Sequence, residues 1–314
     1  MPGRLCGSAG EGNYGEAGVT TGPEAEQGRL AGAKVAPGLH FVATPIGAAR
    51  DITLRALDIL AGADVLAAED TRTLRHLMEI HGLKTGDRPL VAYHDHNGDQ
   101  ARPRLIRALQ EGKSVAYASE AGTPLVADPG FQLGRAAIEA GLAVHAAPGA
   151  SAVLCALTVS GLPTDRFLFA GFPPPAEGAR RRFLQEVGAV PATRVLYESP
   201  RRVGRLLAEM VALFGPARAA VVCRELTKRF EEVTRGTLGE LAERFAGREV
   251  KGEVVVLLGK PEAVEATAED AEGALRIALQ SLSVKDAAAE VAAKTGLNKR
   301  MLYQIALRLM EGEG

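Results

Sequence analysis

Cysteine is scarce in this chain, and its few copies stand far apart. Cys6, Cys155 and Cys223 form no C-x-x-C pair, which argues against a zinc ribbon or a disulfide framework and fits a reducing cytosol. Long apolar runs are also missing: none approaches the ~18 residues that a membrane span needs. The first residues lack a basic start followed by an apolar stretch, so they do not read as a secretory leader. Net charge is only −1 over 314 residues. No global field draws the chain to a polyanion, and any such binding must come from local patches. Several signatures are absent too. There is no G-x-x-x-x-G-K-[ST] loop, no dinucleotide fingerprint after the first strand, no H-E-x-x-H and no G-x-S-x-G. Nucleoside triphosphate and hydride cofactors are therefore not indicated.

What is present is a body that is 46% hydrophobic, long enough for two domains with a small third. Residues 1–38 are Gly-rich, almost without bulky apolar side chains, and read as a disordered extension. Then the pattern changes. Apolar runs at 39–43, 63–67, 89–93, 114–118 and 143–147 alternate with amphipathic stretches. That alternation predicts βαβ units and a mainly parallel sheet over 39–163. From 164 to 262 five more strands are expected, at 167–172, 194–198, 219–224, 231–236 and 253–259. Two helices, near 181–187 and 202–214, lie among them, which implies a second α/β domain with a mixed sheet. Residues 261–272 are acidic and Ala-rich, a linker by composition, and 273–314 read as a small helix-turn-helix-like unit.

The most telling segment is Ala118 to Gly130. It joins a buried strand to a helix and carries Gly122, Pro124, Pro129 and Gly130. Glycine admits backbone angles other residues resist, and proline fixes φ. Such a loop holds a shape, and it sits where open α/β sheets bind ligands. Four other segments end strands with polar or turn residues: Thr44–Gly47, Glu69–Arg72, His94–Asn97 and Pro148–Ser151. In a parallel sheet all five share one edge, which predicts a cleft there with the second domain as its opposite wall. His94 and His96 could ligate a metal beside Asp95, but no second ligand cluster accompanies them, so no metal is assigned.

Charge is uneven. Between Ala179 and Arg205 lie seven arginines, opposed only by Glu186 and Glu198, and the tail adds Lys285, Lys299, Arg300 and Arg308 among others. Each cluster alone suits a solvated helix face. Two basic regions in a chain with a cleft suit a phosphate backbone.

Several motifs, in fixed order, resemble one family. They are Leu39–Gly47 (LHFVATPIG), Asp51–Leu57 (DITLRAL), Ala68–Arg72 (AEDTR), Tyr93–Asn97 (YHDHN), Gly122–Leu125 with Asp128–Gly130, Gly161–Pro163 with Asp165–Phe167, Tyr197–Pro200 (YESP) and Arg224–Lys228 (RELTK). From 39 to 314 the chain resembles the RsmI family of bacterial ribosomal RNA small subunit methyltransferases, in the tetrapyrrole methylase superfamily. It departs from the family pattern at Ala48-Ala49, at Glu120, where Asp is usual, and at Arg201-Arg202, where a His is usual.

The resemblance implies an α/β fold class: two α/β domains of the tetrapyrrole methylase type with a cofactor cleft between them, plus the small C-terminal helical unit. It implies S-adenosylmethionine as cofactor, a cytidine 2′-hydroxyl of 16S rRNA in the small ribosomal subunit as methyl acceptor, a homodimer and a cytoplasmic place, with no membrane partner. Carried over by motif, the cofactor wall comprises Pro45, Ile46, Glu120, Ala121, Gly122, Thr123, Ser151, Ala152, Tyr197, Glu198, Gly252 and Glu253. A ribose hydroxyl is a weak acid, so a base or a nearby cation helps. Asp70, His94, His96 and Glu225 are the candidate bases and Lys228 and Arg72 the candidate cations, and Asp70 could equally pair with Arg72 and cap a helix. RNA-facing candidates are Arg72, Arg180, Arg181, Arg182, Arg202, Lys299 and Arg300. Two other readings stay open: a methylase of the same superfamily acting on a small molecule, and a non-catalytic ribosome-associated RNA-binding protein.

Overall fold

The computed structural model describes residues 34–94, 96–127, 130–261, 268–295 and 297–311. The extension read as 1–38 therefore falls mostly outside the described residues. Its last residues do not fit that reading: Gly38 opens the first strand, Val35 packs on the core, and the carbonyl of Ala36 meets His40 Nε2 at 2.8 Å.

The first sheet holds β1 (Gly38–Val42), β2 (Val65–Ala68), β3 (Leu90–Ala92), β4 (Ser114–Ala118) and β5 (Val144–Ala147), in the order β3-β2-β4-β1-β5. Every pairing is parallel. The central strands bury both faces, which is why they read as unbroken apolar runs. One face packs Val42, Leu66, Ala116 and Ala118 against α1 (Leu54–Gly62) and α2 (Thr71–Ile80). The other packs Leu39, Phe41, Val115 and Tyr117 against α3 (Gly98–Gln110) and α4 (Phe131–Glu139).

The second sheet is mixed. Its strands are β6 (Phe167–Gly171), β7 (Thr193–Glu198), β8 (Ala219–Arg224), β9 (Glu232–Thr237) and β10 (Val254–Leu258), in the order β6-β7-β10-β8-β9. Only β6 and β7 run parallel. One face is covered by α6 (Glu177–Ala189), α7 (Val203–Phe214) and α8 (Leu238–Phe245). The sequence reading lacked α8. Its signal is a capping box: Thr237 Oγ1 accepts from the Glu240 N–H, and Glu240 Oε2 accepts from the Thr237 N–H.

The other face of the second sheet is covered by α5 (Ala152–Ser160). This helix follows β5 and ends at Gly161, left-handed at φ 76°. Val153, Ala156 and Leu157 pack with Val195, Val221, Val255 and Leu257, and Ile46 joins them. A boundary at 163 thus places α5 with the first sheet in sequence, while its apolar face belongs to the second core. The two sheets are stitched together through α5 and Ile46.

The tail forms α9 (Ala268–Leu279), α10 (Val284–Thr295) and α11 (Lys299–Glu311). Ala271, Leu275, Ala287, Val291, Leu302 and Ala306 make its own small core. Helix α9 begins inside the segment read as a linker to 272; residues 262–267 lie outside the described residues.

Candidate functional site

Because the first sheet is parallel, the loops after its strands share one edge, and three of them are tied together there. The Thr44 N–H donates to the Gly122 carbonyl at 2.9 Å, and the Gly122 N–H donates back at 3.1 Å. Thr44 Oγ1 donates to the Ser119 carbonyl, and Thr123 Oγ1 to the Ala150 carbonyl. Gly122 sits at φ 83°, and a Cβ there would stand 3.2 Å from the Ile46 methyl. Backbone pairing and a missing side chain, rather than charge, shape this wall.

The opposite wall is built from charged side chains. It comprises the end of β7, the turn after β8 and the start of β10. Glu225 and Thr227 adopt φ 51° and 64°, uncommon for residues with a Cβ. Tertiary contacts hold them there. The Glu225 N–H donates to the Glu253 carbonyl, and the Glu253 N–H donates to Glu225 Oε1, both at 3.0 Å. Lys228 Nζ donates to Glu225 Oε1 at 2.9 Å and to Glu253 Oε2 at 3.0 Å. A Cβ on Gly252 would lie 2.3 Å from the Glu225 carboxyl carbon, so only glycine lets this pairing close. Glu225 is held below the usual carboxylate range by the Glu253 N–H and then by Lys228, against some burial. Burial disfavours the Lys228 charge, but its bonds to Glu225 and Glu253 outweigh that and raise its pKa. Lys228 is therefore a firmly cationic ammonium. The Thr227 hydroxyl oxygen accepts from the Ala48 N–H at 3.1 Å, joining this turn to the first sheet's loop.

Glu198, at the end of β7, is 3% exposed. Its Oε1 accepts from the Ser199 N–H at 2.6 Å and from Arg202 Nε at 2.7 Å, while its Oε2 has no hydrogen-bond partner among the described residues.

Between the two walls lies a cleft of about 660 Å³. All twelve residues expected on the cofactor wall line it: Pro45, Ile46, Glu120, Ala121, Gly122, Thr123, Ser151, Ala152, Tyr197, Glu198, Gly252 and Glu253. Lys228 lines it as well. Glu225 does not line it but braces Lys228 from behind. Glu69, Thr73, Val126, Ala127 and Phe172 also face the cleft; Glu69 lies in a strand-end segment expected at this edge, but none of the five was expected on the cofactor wall. Val126 and Ala127 carried a usable signal, since they lie inside the Gly/Pro loop. Phe172 carried none beyond ending a strand.

Other expectations need correction. Asp70 caps α2, accepting from the Arg72 N–H at 2.7 Å, and its other oxygen pairs with the Arg72 guanidinium at 2.8 Å. The Arg72 side chain and N–H pull its pKa down to about 2. So engaged, Asp70 acts as a helix cap and is not among the residues lining the cleft, although Glu69 and Thr73 beside it are. Arg72 remains exposed but is committed to Asp70. His96 follows the edge strand β3, stands 6.0 Å from the His94 ring and does not line the cleft. Asp95, the third member of the weighed metal set, lies outside the described residues.

The arginine cluster is less free than its count suggests. Arg180 is 3% exposed; its guanidinium pairs with both Glu209 oxygens at 2.6 Å and donates to the carbonyls of Pro174 and Pro175. It is an internal clamp between α6 and α7, not an RNA contact. Arg194 is fully buried and donates to the carbonyls of Val187, Gly188, Val190, Ala192 and Gly259. Burial, with Arg218 nearby, lowers it to about 10. Arg202 is held by Glu198, and Arg205 by Glu177 and Glu209. Arg181 and Arg182 stay exposed on α6, as do Lys299 and Arg300 at the start of α11, where Asn298 Oδ1 accepts from the Arg300 N–H.

Comparisons with known proteins fit this architecture. The family model of the Tetrapyrrole (Corrin/Porphyrin) Methylases matches residues 38–242, and that of the RsmI C-terminal HTH domain matches 265–310. The ribosomal RNA small subunit methyltransferase I of Mesorhizobium japonicum is 48% identical over 279 residues, covering 88% of this chain and 94% of its own. That of Pseudomonas aeruginosa is 43% identical over 275 residues, covering 86% and 96%. Among solved structures, a Thermus thermophilus uroporphyrin-III C-methyltransferase aligns with TM-score 0.51 at 22% identity over 71% of this chain and 94% of that one. A diphthine synthase aligns with TM-score 0.55 at 19% identity over 70% and 89%. These distant structures share the fold. With the close relatives and both family models, the chain belongs to the ribosomal RNA small subunit methyltransferase I family of the tetrapyrrole methylases.

Proposed function

We propose that this protein transfers a methyl group from S-adenosylmethionine to the ribose 2′-hydroxyl of a cytidine in 16S rRNA, acting on the small ribosomal subunit in the cytoplasm. The observation that carries the reading is the cleft. Twelve residues scattered from 45 to 253 converge on one space, with a fixed ammonium on its rim. The residues fit the cofactor: Gly122 leaves open a space that a Cβ would narrow, and Glu198 keeps one buried carboxylate oxygen unpaired beside the cleft. When bound, S-adenosylmethionine supplies a methyl on a positively charged sulfur, to be displaced in line by the ribose oxygen.

The chain's own contribution is orientation and electrostatics. The tied loops of the first sheet fix one wall, and Glu198, locked by Arg202 and the Ser199 N–H, fixes the other. Lys228, clamped by Glu225 and Glu253, stabilises negative charge building on the ribose oxygen as its proton passes to solvent water. Exposed Arg181, Arg182, Lys299 and Arg300 supply phosphate contacts. The helical tail and these exposed basic side chains favour a ribosomal RNA acceptor over a small tetrapyrrole.

The working unit is a homodimer in this reading. Leu154 and Phe167 are exposed beside a shallow depression lined by Leu157, Leu162, Thr158 and Thr164, a mixed surface on which a second copy could seat its own Leu154 and Phe167. Light scattering is expected to give twice the chain mass. The deciding experiment is labelled methyl transfer onto purified small subunits lacking the modification, with nuclease mapping of the label. Label on a cytidine ribose supports the proposal; label elsewhere, or none, ends it.

A further inference from the structure

Phe172 is 55% exposed and stands on the cleft wall. Its position results from an irregularity in β6. Phe167, Leu168 and Phe169 pair in step with Thr193, Arg194 and Val195, but Gly171 rather than Ala170 then faces Leu196. Such a bulge shifts the alternation of side chains and re-aims the residues that follow. The ring that emerges is braced. Phe172 meets Tyr197 edge-on at 5.4 Å between centroids, and Tyr197 meets Phe169 at 4.8 Å. Burial pushes the Tyr197 hydroxyl up to about 12, so its ring stays uncharged. A rigid aromatic ring, propped from within and open to solvent, thus borders the same space as Lys228 and Glu198.

We infer that Phe172 is the stacking surface for the base of the target nucleotide, turned out of its own stack so that its ribose reaches the cleft. The inference rests on the ribose-methylation reading above. A ribose inside folded RNA reaches an enclosed donor only if its nucleotide leaves its neighbours, and the base then loses its stacking partners. Proteins replace that loss with exposed aromatic rings, which accept the π-face of a base.

The test compares Phe172→Leu, which keeps apolar bulk but no flat ring, with Phe172→Tyr, which keeps the ring. Transfer to small subunits is measured as kcat/KM, and S-adenosylhomocysteine affinity by calorimetry. The expected result for Phe172→Leu is a fall of about ten- to a hundredfold in kcat/KM, with S-adenosylhomocysteine affinity unchanged. Phe172→Tyr recovers transfer to within about threefold of the parent. Because the ring is mostly exposed, both variants are expected to melt as the parent does. Wild-type kinetics in Phe172→Leu overturns the stacking role and leaves the methyltransferase reading intact. A parallel loss of S-adenosylhomocysteine affinity also overturns it, because the ring would then cover the cofactor. A parent protein that binds S-adenosylhomocysteine but labels no ribosomal RNA overturns the functional reading and the stacking role with it.

Discussion

The two walls of the cleft are made by different means. The first sheet contributes backbone: parallel strand ends, a reciprocal amide pairing between Thr44 and Gly122, and a glycine that leaves room. The second sheet contributes charge: Lys228 between two glutamates, and Glu198 against Arg202. Farther from the cleft it adds Arg180 on Glu209 and Glu232 among Arg224, Arg244 and Arg248. A parallel sheet with helices on both faces has its polar strand-end loops gathered on one edge, so shape is set by turns. A mixed sheet sends loops to both ends, and its partners must be locked by side chains. Each wall is therefore fragile in a different way. The first fails when a side chain is added at Gly122; the second fails when a charged partner is removed, and Gly252 is the point where it likewise tolerates no Cβ.

The largest effect is expected from adding atoms to the first wall. Gly122→Val places a β-branched side chain at φ 83° against Ile46. S-adenosylmethionine affinity should fall by roughly a hundredfold or more by calorimetry. Affinity equal to the parent's would show that this loop is not the cofactor wall.

Next comes removal from the second wall. Lys228→Ala takes away the ammonium and leaves Glu225 and Glu253 facing each other near the cleft. Methyl transfer at saturating cofactor should drop about a hundredfold, with a smaller change in cofactor affinity. An unchanged kcat would reduce Lys228 to a structural brace.

The arginine run sharpens the contrast within three consecutive residues. Arg180→Ala leaves Glu209 with Arg205 alone, takes the donor from the Pro174 and Pro175 carbonyls, and should cost about 2 kcal/mol in urea unfolding. Arg181→Glu with Arg182→Glu should leave stability within about 0.5 kcal/mol. The double variant should weaken subunit binding about tenfold and flatten its salt dependence. Equal stability losses in both variants would erase the distinction between clamp and patch.

The smallest effect concerns pH. The Arg248 side chain, and after it Arg224, hold Glu232 down at about 2 despite some burial, against an ordinary value of 4.5. A carboxylate depressed on folding stabilises the folded state fully above its unfolded pKa. That contribution is lost as pH falls from 4.5 toward 2. Unfolding free energy should therefore decline across that window, and Glu232→Gln should remove about 1 kcal/mol of the decline. An identical slope in the variant would assign the acid sensitivity to other carboxylates.

Much of this was legible along the chain. Strands β4 and β8 fall on the apolar runs that predict them, because strands buried on both faces carry the plainest signal. The five strand-end segments were legible as one edge, since parallel pairing alone puts them there. Helix α8 was missed because it is short and follows β9 without a loop, although Thr237 and Glu240 announce its start. The internal place of Arg180 had a sign as well: with Leu184 and Val187 it lies on one face of α6 at helical spacing.

The order of the ten strands and of every helix but α8, the edge that carries the loops and the family are all written in the sequence. These depend on local periodicity and on motifs a few residues long. Tertiary structure alone decided which charges are free. Glu209 lies 29 residues from Arg180, and Glu253 lies 25 from Lys228. Whether a charged residue faces water, caps a helix or clamps two elements depends on what folding brings within about 3 Å of it, and no local pattern records that distance. The same holds for Phe172, whose exposure comes from one skipped residue in the pairing of β6 with β7.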